Sequence, residues 1–127
     1  MVGYVGHSVL VYEVAAKSNL KLENKLHLRA PIKKGIVVDW DDAEALWHHL
    51  IKNALGVAPE EHPLLLTEPD LNPTPNQHKT TQILFESLNV PSLFLAPQSL
   101  LALYAAGRSS GVVLGIGEGT SAAVPIQ

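Results

Sequence analysis

The sequence predicts an α/β domain in which a parallel sheet is wrapped by helices. Three observations carry that prediction. Pro63 to Glu68, Pro-Leu-Leu-Leu-Thr-Glu, holds three leucines with no polar interruption, opened by a proline and closed by Thr-Glu-Pro, which reads as a strand buried on both faces. An amphipathic helical pattern precedes it, from Asp41 to Leu55, and another follows it, from Asn76 to Leu88. The resulting β-α-β-α rhythm favours parallel pairing with helices as cover.

Bulk properties bound the rest. A chain of 127 residues is one domain or part of one, and 46% hydrophobic residues are enough for a real core. The net charge of −3 and the lack of a basic cluster give no footprint for nucleic acid, whose binding depends on neutralising phosphates. With no cysteine there is neither a disulfide framework nor a thiolate metal site. No apolar run approaches the ~20 residues that span a bilayer, and the N-terminus lacks a basic-then-apolar leader pattern. The expectation is a cytoplasmic or nuclear protein with no direct nucleic-acid or membrane partner.

The first quarter is weakly patterned. Met1 to Gly6 is expected to be a mobile lead-in. His7 to Val14 alternates enough for a strand, Lys17 to Lys25 is polar and reads as a loop, and Leu26-His27-Leu28 alternates again before Pro31. A peripheral hairpin is the expected outcome, and nothing here carries chemistry.

From Gly35 the signals sharpen. Ile36-Val37-Val38 is a β-branched run, and Asp39 is placed to cap the helix after it, with Asp41, Asp42 and Glu44 favourably set in the first turn. Ala43, Leu46, Trp47, Leu50, Ile51, Ala54 and Leu55 draw one apolar stripe that Gly56 ends. His48 and His49 point about 100° apart on such a helix and lack the i, i+4 spacing for a shared zinc, so they read as solvated or capping. Glu60 and Glu61, neighbours in a connector, read as solvated rather than as an acid/base pair.

After Glu68, Pro-Asp-Leu-Asn-Pro-Thr-Pro-Asn should be a rigid loop at the carboxyl edge of the sheet, where open parallel sheets hold ligands. The following helix directs Ile83, Leu84 and Leu88 inward. Val90 to Ala96 is the next strand, and Pro97-Gln98 leads directly into a helix from Ser99 to Ala106, closed by Gly107. Gln98 therefore stands at a strand-to-helix junction, able to meet a ligand or simply to bond the loop backbone.

Gly111 to Leu114 is a strand, Gly115-Ile116-Gly117-Glu118-Gly119 a glycine turn, and Thr120 to Ile126 is extended again. Glycines at alternate positions allow backbone N–H groups to converge on an anion. No helix opens after the turn, which excludes a dinucleotide fold. Taken alone, the turn fits both a strand-turn-strand phosphate loop and a plain β-hairpin.

At this point the accumulated blocks resemble actin and the actin-related proteins. They include Trp40-Asp41-Asp42, Trp47-His48-His49, Val57-Ala58-Pro59-Glu60-Glu61-His62-Pro63, Leu65-Leu66-Thr67-Glu68, Leu71-Asn72-Pro73, Leu103-Tyr104-Ala105, Gly107-Arg108 and Val124-Pro125-Ile126. They are collinear and run through nearly the whole chain from Pro31 onward.

The resemblance implies a partial actin-like ATPase fold of the ribonuclease H-like type, a mixed sheet with flanking helices. Residues 1–34 would be a peripheral β-hairpin region of the small outer subdomain. Residues 35–127 would be the α/β portion of the first half, ending in the second phosphate-loop hairpin. The family's first phosphate loop and its second half lie outside the matched stretch, so the expectation is one wall of a two-walled cleft.

The resemblance also implies ATP or ADP with Mg2+ as cofactors, bound weakly or not at all by this chain. Gly117, Glu118, Gly119 and Thr120 stand where the family places phosphate donors, and Glu118 where an aspartate acts on the metal through water. Gln98 matches the catalytic glutamine that helps place the attacking water. Gly115 replaces the family's other aspartate in that loop, Ala122 its supporting histidine, and Lys34 its modifiable histidine, while the hairpin between Tyr4 and Pro31 is longer than usual. Loss of one positioned donor costs on the order of 3 kcal/mol, a hundredfold or more in rate. The expectation is a structural or interaction protein of the cytoskeleton, with actin, actin-related proteins or actin-binding proteins as partners and no hydrolysis by this chain alone. The alternative is an ATP-binding actin-related protein of which this is a truncated product.

Overall fold

The computed structural model describes the backbone of residues 2–5, 8–11, 27–117 and 119–127, and the side chains of residues 29–117 and 119–127. Internal contacts divide the chain into two compact units, residues 1–33 with 37–58, and residues 34–36 with 59–127. The first helix thereby groups with the N-terminal strands, whereas the sequence reading drew its line after residue 34.

In the first unit, β1 (Val2–Val5), β2 (Ser8–Val11) and β3 (His27–Arg29) form an antiparallel sheet in the order β2-β1-β3. Val2 stands opposite both Val11 and Arg29, and Tyr4 opposite both Val9 and His27. The expected mobile lead-in is therefore the central strand. Gly3 and Gly6 suggested looseness, but Val2, Tyr4 and Val5 are good strand formers, and pairing along both edges outweighs the cost of one glycine. Tyr12, Val14 and the polar loop from Lys17 to Lys25 lie outside the described residues.

α1 spans Trp40–His49. The Asp39 carboxylate accepts a hydrogen bond from the Asp42 N–H at 3.1 Å, which satisfies a donor that the helix itself leaves open. Ala43, Trp47 and Ile51, spaced by four, are buried. The expected stripe is broader than the observed one, since Leu50 is 42% and Leu55 67% exposed. The helix widens into a π-helical turn over Leu50–Ala54, with the Leu55 N–H reaching back to the Leu50 carbonyl at 2.9 Å. That wider turn takes Ala54 and Leu55 out of the phase that a 3.6-residue period assigns them.

β4 (Ile32–Lys33) and β5 (Ile36–Val37) pair across a two-residue turn. Lys34 and Gly35 both have positive φ, 52° and 79°, as the mirror-image turn of tight hairpins requires. Glycine takes that conformation freely, while Lys34 does so at some strain.

In the second unit, β6 (Leu64–Glu68) runs parallel to β7 (Leu93–Pro97), with Leu64 opposite Leu93 and Glu68 opposite Pro97. The connection between them carries α2 (Thr74–Glu86), which buries Thr80, Ile83 and Leu84, with Leu88 and Val90 also buried just beyond it. The expected parallel pairing and helical crossover are present. Burial of the strand on both faces is not: Leu65 is 53% exposed and its partner Phe94 61%. A triple-leucine run tolerates cover on both sides, yet among the described residues only one side receives it.

α3 (Gln98–Ala105) follows β7 without a loop, and Gly107, at φ +74°, ends it. Leu103 of α3 is buried and packs against Gly111, the first residue of β8 (Gly111–Ile116). β8 pairs antiparallel with β9 (Ser121–Ile126) from Gly111 opposite Ile126 to Ile116 opposite Ser121. No helix among the described residues is long and apolar enough to cross a membrane.

Candidate functional site

The carboxyl ends of β6 and β7 lie side by side, so the loop after β6 meets the start of α3. This is the edge at which parallel sheets place ligands. Pro97 precedes α3 and has no side chain to cap it, leaving the first N–H groups of the helix without a local partner. Asp70 takes that role from the other loop. Its Oδ1 accepts from the Ser99 N–H at 3.3 Å and also from the Ser99 hydroxyl. A carboxylate here is doubly favoured, by hydrogen bonds and by the positive end of the helix dipole.

One residue before the loop, Glu68 is buried and satisfied by neutral partners. The Gln77 side-chain N–H donates to its Oε1 at 2.7 Å, and the Asn72 side-chain N–H donates to its Oε2 at 2.9 Å. Asn72 in turn closes a backbone turn on Pro69, its N–H reaching the Pro69 carbonyl at 3.1 Å. These bonds tie the loop that carries Asp70 to β6 and α2.

The β8–β9 turn forms a second wall. Its span is shorter than the five-residue glycine turn expected, because Gly115 is a paired strand residue opposite Ala122. The turn is closed by the Gly117 N–H, which donates to the Thr120 carbonyl at 2.8 Å. Gly117 was expected to offer that N–H to phosphate, and here the hairpin itself uses it. Gly119 is the point of close approach: a Cβ built on it would lie 3.4 Å from the Lys34 Cα.

Between these walls is a cavity of about 340 Å³ to which Asp70, Gln98, Ser99, Gly115, Gly117 and Thr120 contribute. A neighbouring cavity of about 450 Å³ shares Asp70, Gln98 and Thr120 and adds Lys34 and Leu71. Of the site residues read from sequence, Gln98, Gly117 and Thr120 thus line one space. Gly119 faces Lys34 and lines neither of these cavities, and Glu118 lies outside the described residues. Gln98 is exposed and is the first residue of α3.

Among the described residues the fit to a magnesium shell is poor, and Glu118, which the resemblance assigns to the metal, is not among them. Gly115 brings no carboxylate to the wall, Asp70 is engaged by Ser99, and no cluster of three or more His, Cys, Asp or Glu among the described residues could hold a metal ion. Glu60 and Glu61 are exposed in a short 3-10 turn, His48 lies 3.9 Å from Glu44 one helical turn away, and none of these lines either cavity.

Sequence reasoning missed Asp70. The sequence offered only part of the signal, an acidic residue in a proline-rich loop at the ligand edge; that it meets the start of α3 depends on a contact 29 residues away.

Comparison with known proteins agrees with this architecture. The family model described as Actin matches residues 2–127. An "Actin-like protein" of Neurospora crassa is 48% identical over 113 residues, which is 89% of this chain and 30% of that protein. The chain thus spans about a third of the length of that relative. It belongs to the actin family.

Proposed function

We propose that this chain serves as a structural and interaction module of cytoskeletal or other actin-containing assemblies in the cytoplasm, and that it does not hydrolyse ATP. The observation carrying the proposal is the contrast within one unit. The scaffold is retained, with buried Leu84, Leu88, Ala96 and Leu103 and a parallel β6/β7 pair, while the cleft wall has glycine at 115 and spends the Gly117 N–H internally. Phosphoryl transfer depends on positioned donors and metal charge, so each loss bears directly on rate.

Association is supported by exposed apolar surface. Val112, Leu114 and Ile116 alternate along β8 at 69%, 67% and 77% exposure, and Leu65 lies beside Phe94 on β6/β7. Apolar rows of this kind mark interaction faces. Their partners in this reading are actin, actin-related proteins or the proteins that bind them. Co-sedimentation of the purified chain with actin filaments tests it: enrichment in the pellet, weakened by Leu114→Asp, is expected, and a chain that stays in the supernatant at micromolar filament concentration refutes it.

A second reading, binding of ATP or ADP with magnesium, is favoured by one observation, that Gln98, Gly117 and Thr120 still line a common cavity. Calorimetry with MgATP separates the two, since the first reading expects no saturable heat below millimolar concentration.

A further inference from the structure

The β8–β9 hairpin has two unequal edges. The Gly117 N–H donates to the Thr120 carbonyl, and hydrogen-bonded pairs recur at every second position of an antiparallel ladder. Gly115 with Ala122, Val113 with Val124 and Gly111 with Ile126 therefore bond to each other across the hairpin. The alternate residues turn their backbone groups outward, Ser121, Ala123 and Pro125 from β9 and Val112, Leu114 and Ile116 from β8. Pro125 has no N–H to offer, which blunts the β9 edge. The β8 edge has no such device. Its sequence, Gly-Val-Val-Leu-Gly-Ile, holds neither proline nor charge, and among the described residues β8 pairs with β9 alone. An edge of this kind is a template for a further strand.

We propose that the occupant of this edge is β8 of a second copy of the chain, paired antiparallel about a two-fold axis through Leu114. In that register Leu114 stands opposite its own counterpart, and Val112 opposite the counterpart of Ile116. The outward backbone groups of all three residues then meet outward groups, and every cross-strand side-chain pair on the exposed face is apolar. The strip is self-complementary, as a two-fold interface requires, and it gives a partner selected by charge nothing to read. It is also only one strand long. Its area falls short of the ~800 Å² a side of a stable interface, so the pairing is reversible, with a Kd on the order of 10–100 µM. The apolar row on β8 points out of the sheet and stays open when the edge pairs, so association with actin and association between copies can fail separately.

The 127-residue chain, with no actin present, is followed by sedimentation velocity and amide hydrogen exchange from about 5 µM to about 1 mM. The mass should rise with concentration from that of one copy towards that of two. Exchange at residues 112, 114 and 116 should slow about fivefold or more over that range, while residues 121 and 123 on the β9 edge stay unchanged. Leu114→Lys and Leu114→Asp each set like charges directly opposite on the two-fold axis and should remain monomeric; mixed in equal amounts they should pair with each other. Circular dichroism checks that both fold, and the exposure of Leu114 favours it. Should either variant fail to fold, the exchange profile of the unmodified chain decides alone.

A chain that stays monomeric to about 1 mM overturns the proposal. So does self-association that leaves those three amides unprotected. Protection that does not change with concentration also overturns it, because the edge would then be paired within the chain. A folded equal mixture of the two variants that stays monomeric does the same.

Discussion

Asp70 and Ser99, 29 residues apart in sequence, are joined by two hydrogen bonds to a single carboxylate oxygen, which caps α3 from the loop after β6. A helix that opens on Pro97-Gln98 has no capping side chain of its own, so the cap comes from the neighbouring strand end. Asp70→Ala should therefore cost about 1 kcal/mol of stability, the usual loss on removing an N-cap. Urea unfolding of the two chains measures it, and an unchanged midpoint would mean that the contact contributes nothing.

Glu68 leads to a second expectation. Its buried carboxylate is satisfied by the amides of Gln77 and Asn72 rather than by a cation. Gln77→Leu preserves size while removing one donor, and leaving a buried polar atom without its partner costs about 1–3 kcal/mol. Glu68→Gln should be milder, because both amide partners can still donate to its carbonyl oxygen or reorient. The order of the two unfolding midpoints checks the assignment.

Burial on one face of β6 and β7 predicts a contrast between leucines. Leu84 is 1% exposed, and Leu84→Ala should cost about 2–5 kcal/mol. Leu65 is 53% exposed, and Leu65→Ala should stay within about 0.5 kcal/mol. Comparable losses at both sites would mean that the open face of the sheet is covered in solution.

Gly115 has room for a side chain. A Cβ there would lie no nearer than 4.0 Å to any atom outside its neighbours, the nearest being the Ala122 carbonyl oxygen. Gly115→Asp should fold as the unmodified chain does, with stability within about 1 kcal/mol. It should also bind Mn2+ more tightly than the unmodified chain does, read as paramagnetic broadening at residues 114 to 117. Gly119→Ala should be tolerated as well, because its Cβ would meet the Lys34 Cα at 3.4 Å, an ordinary van der Waals contact, and an unchanged melting temperature is expected there.

Much of the chain from Asp39 onward was legible because its signals are local and periodic. Asp39 capping α1, Ile83, Leu84 and Leu88 turning inward, Gly107 ending α3 and the β6/β7 crossover all follow from spacing and turn chemistry. Features set by longer-range pairing were not legible. Val2–Val5 looked loose until two strands paired with it, and Gly115 looked like part of a turn until Ala122 paired opposite. The π-turn at Leu50–Ala54 breaks the period on which the stripe was drawn, which no composition rule marks. In the candidate site, Gln98 and Thr120 were found through the resemblance to actin, whereas Asp70 matters through a contact 29 residues away that no local pattern encodes.

On the function proposed above, the fold of the actin family is kept here without its phosphate chemistry. Release of inorganic phosphate from radiolabelled MgATP by the purified 127-residue chain tests it most directly. Release indistinguishable from buffer is expected, with no change on Gln98→Ala. Steady turnover that rises with protein concentration and falls on Gln98→Ala would contradict it.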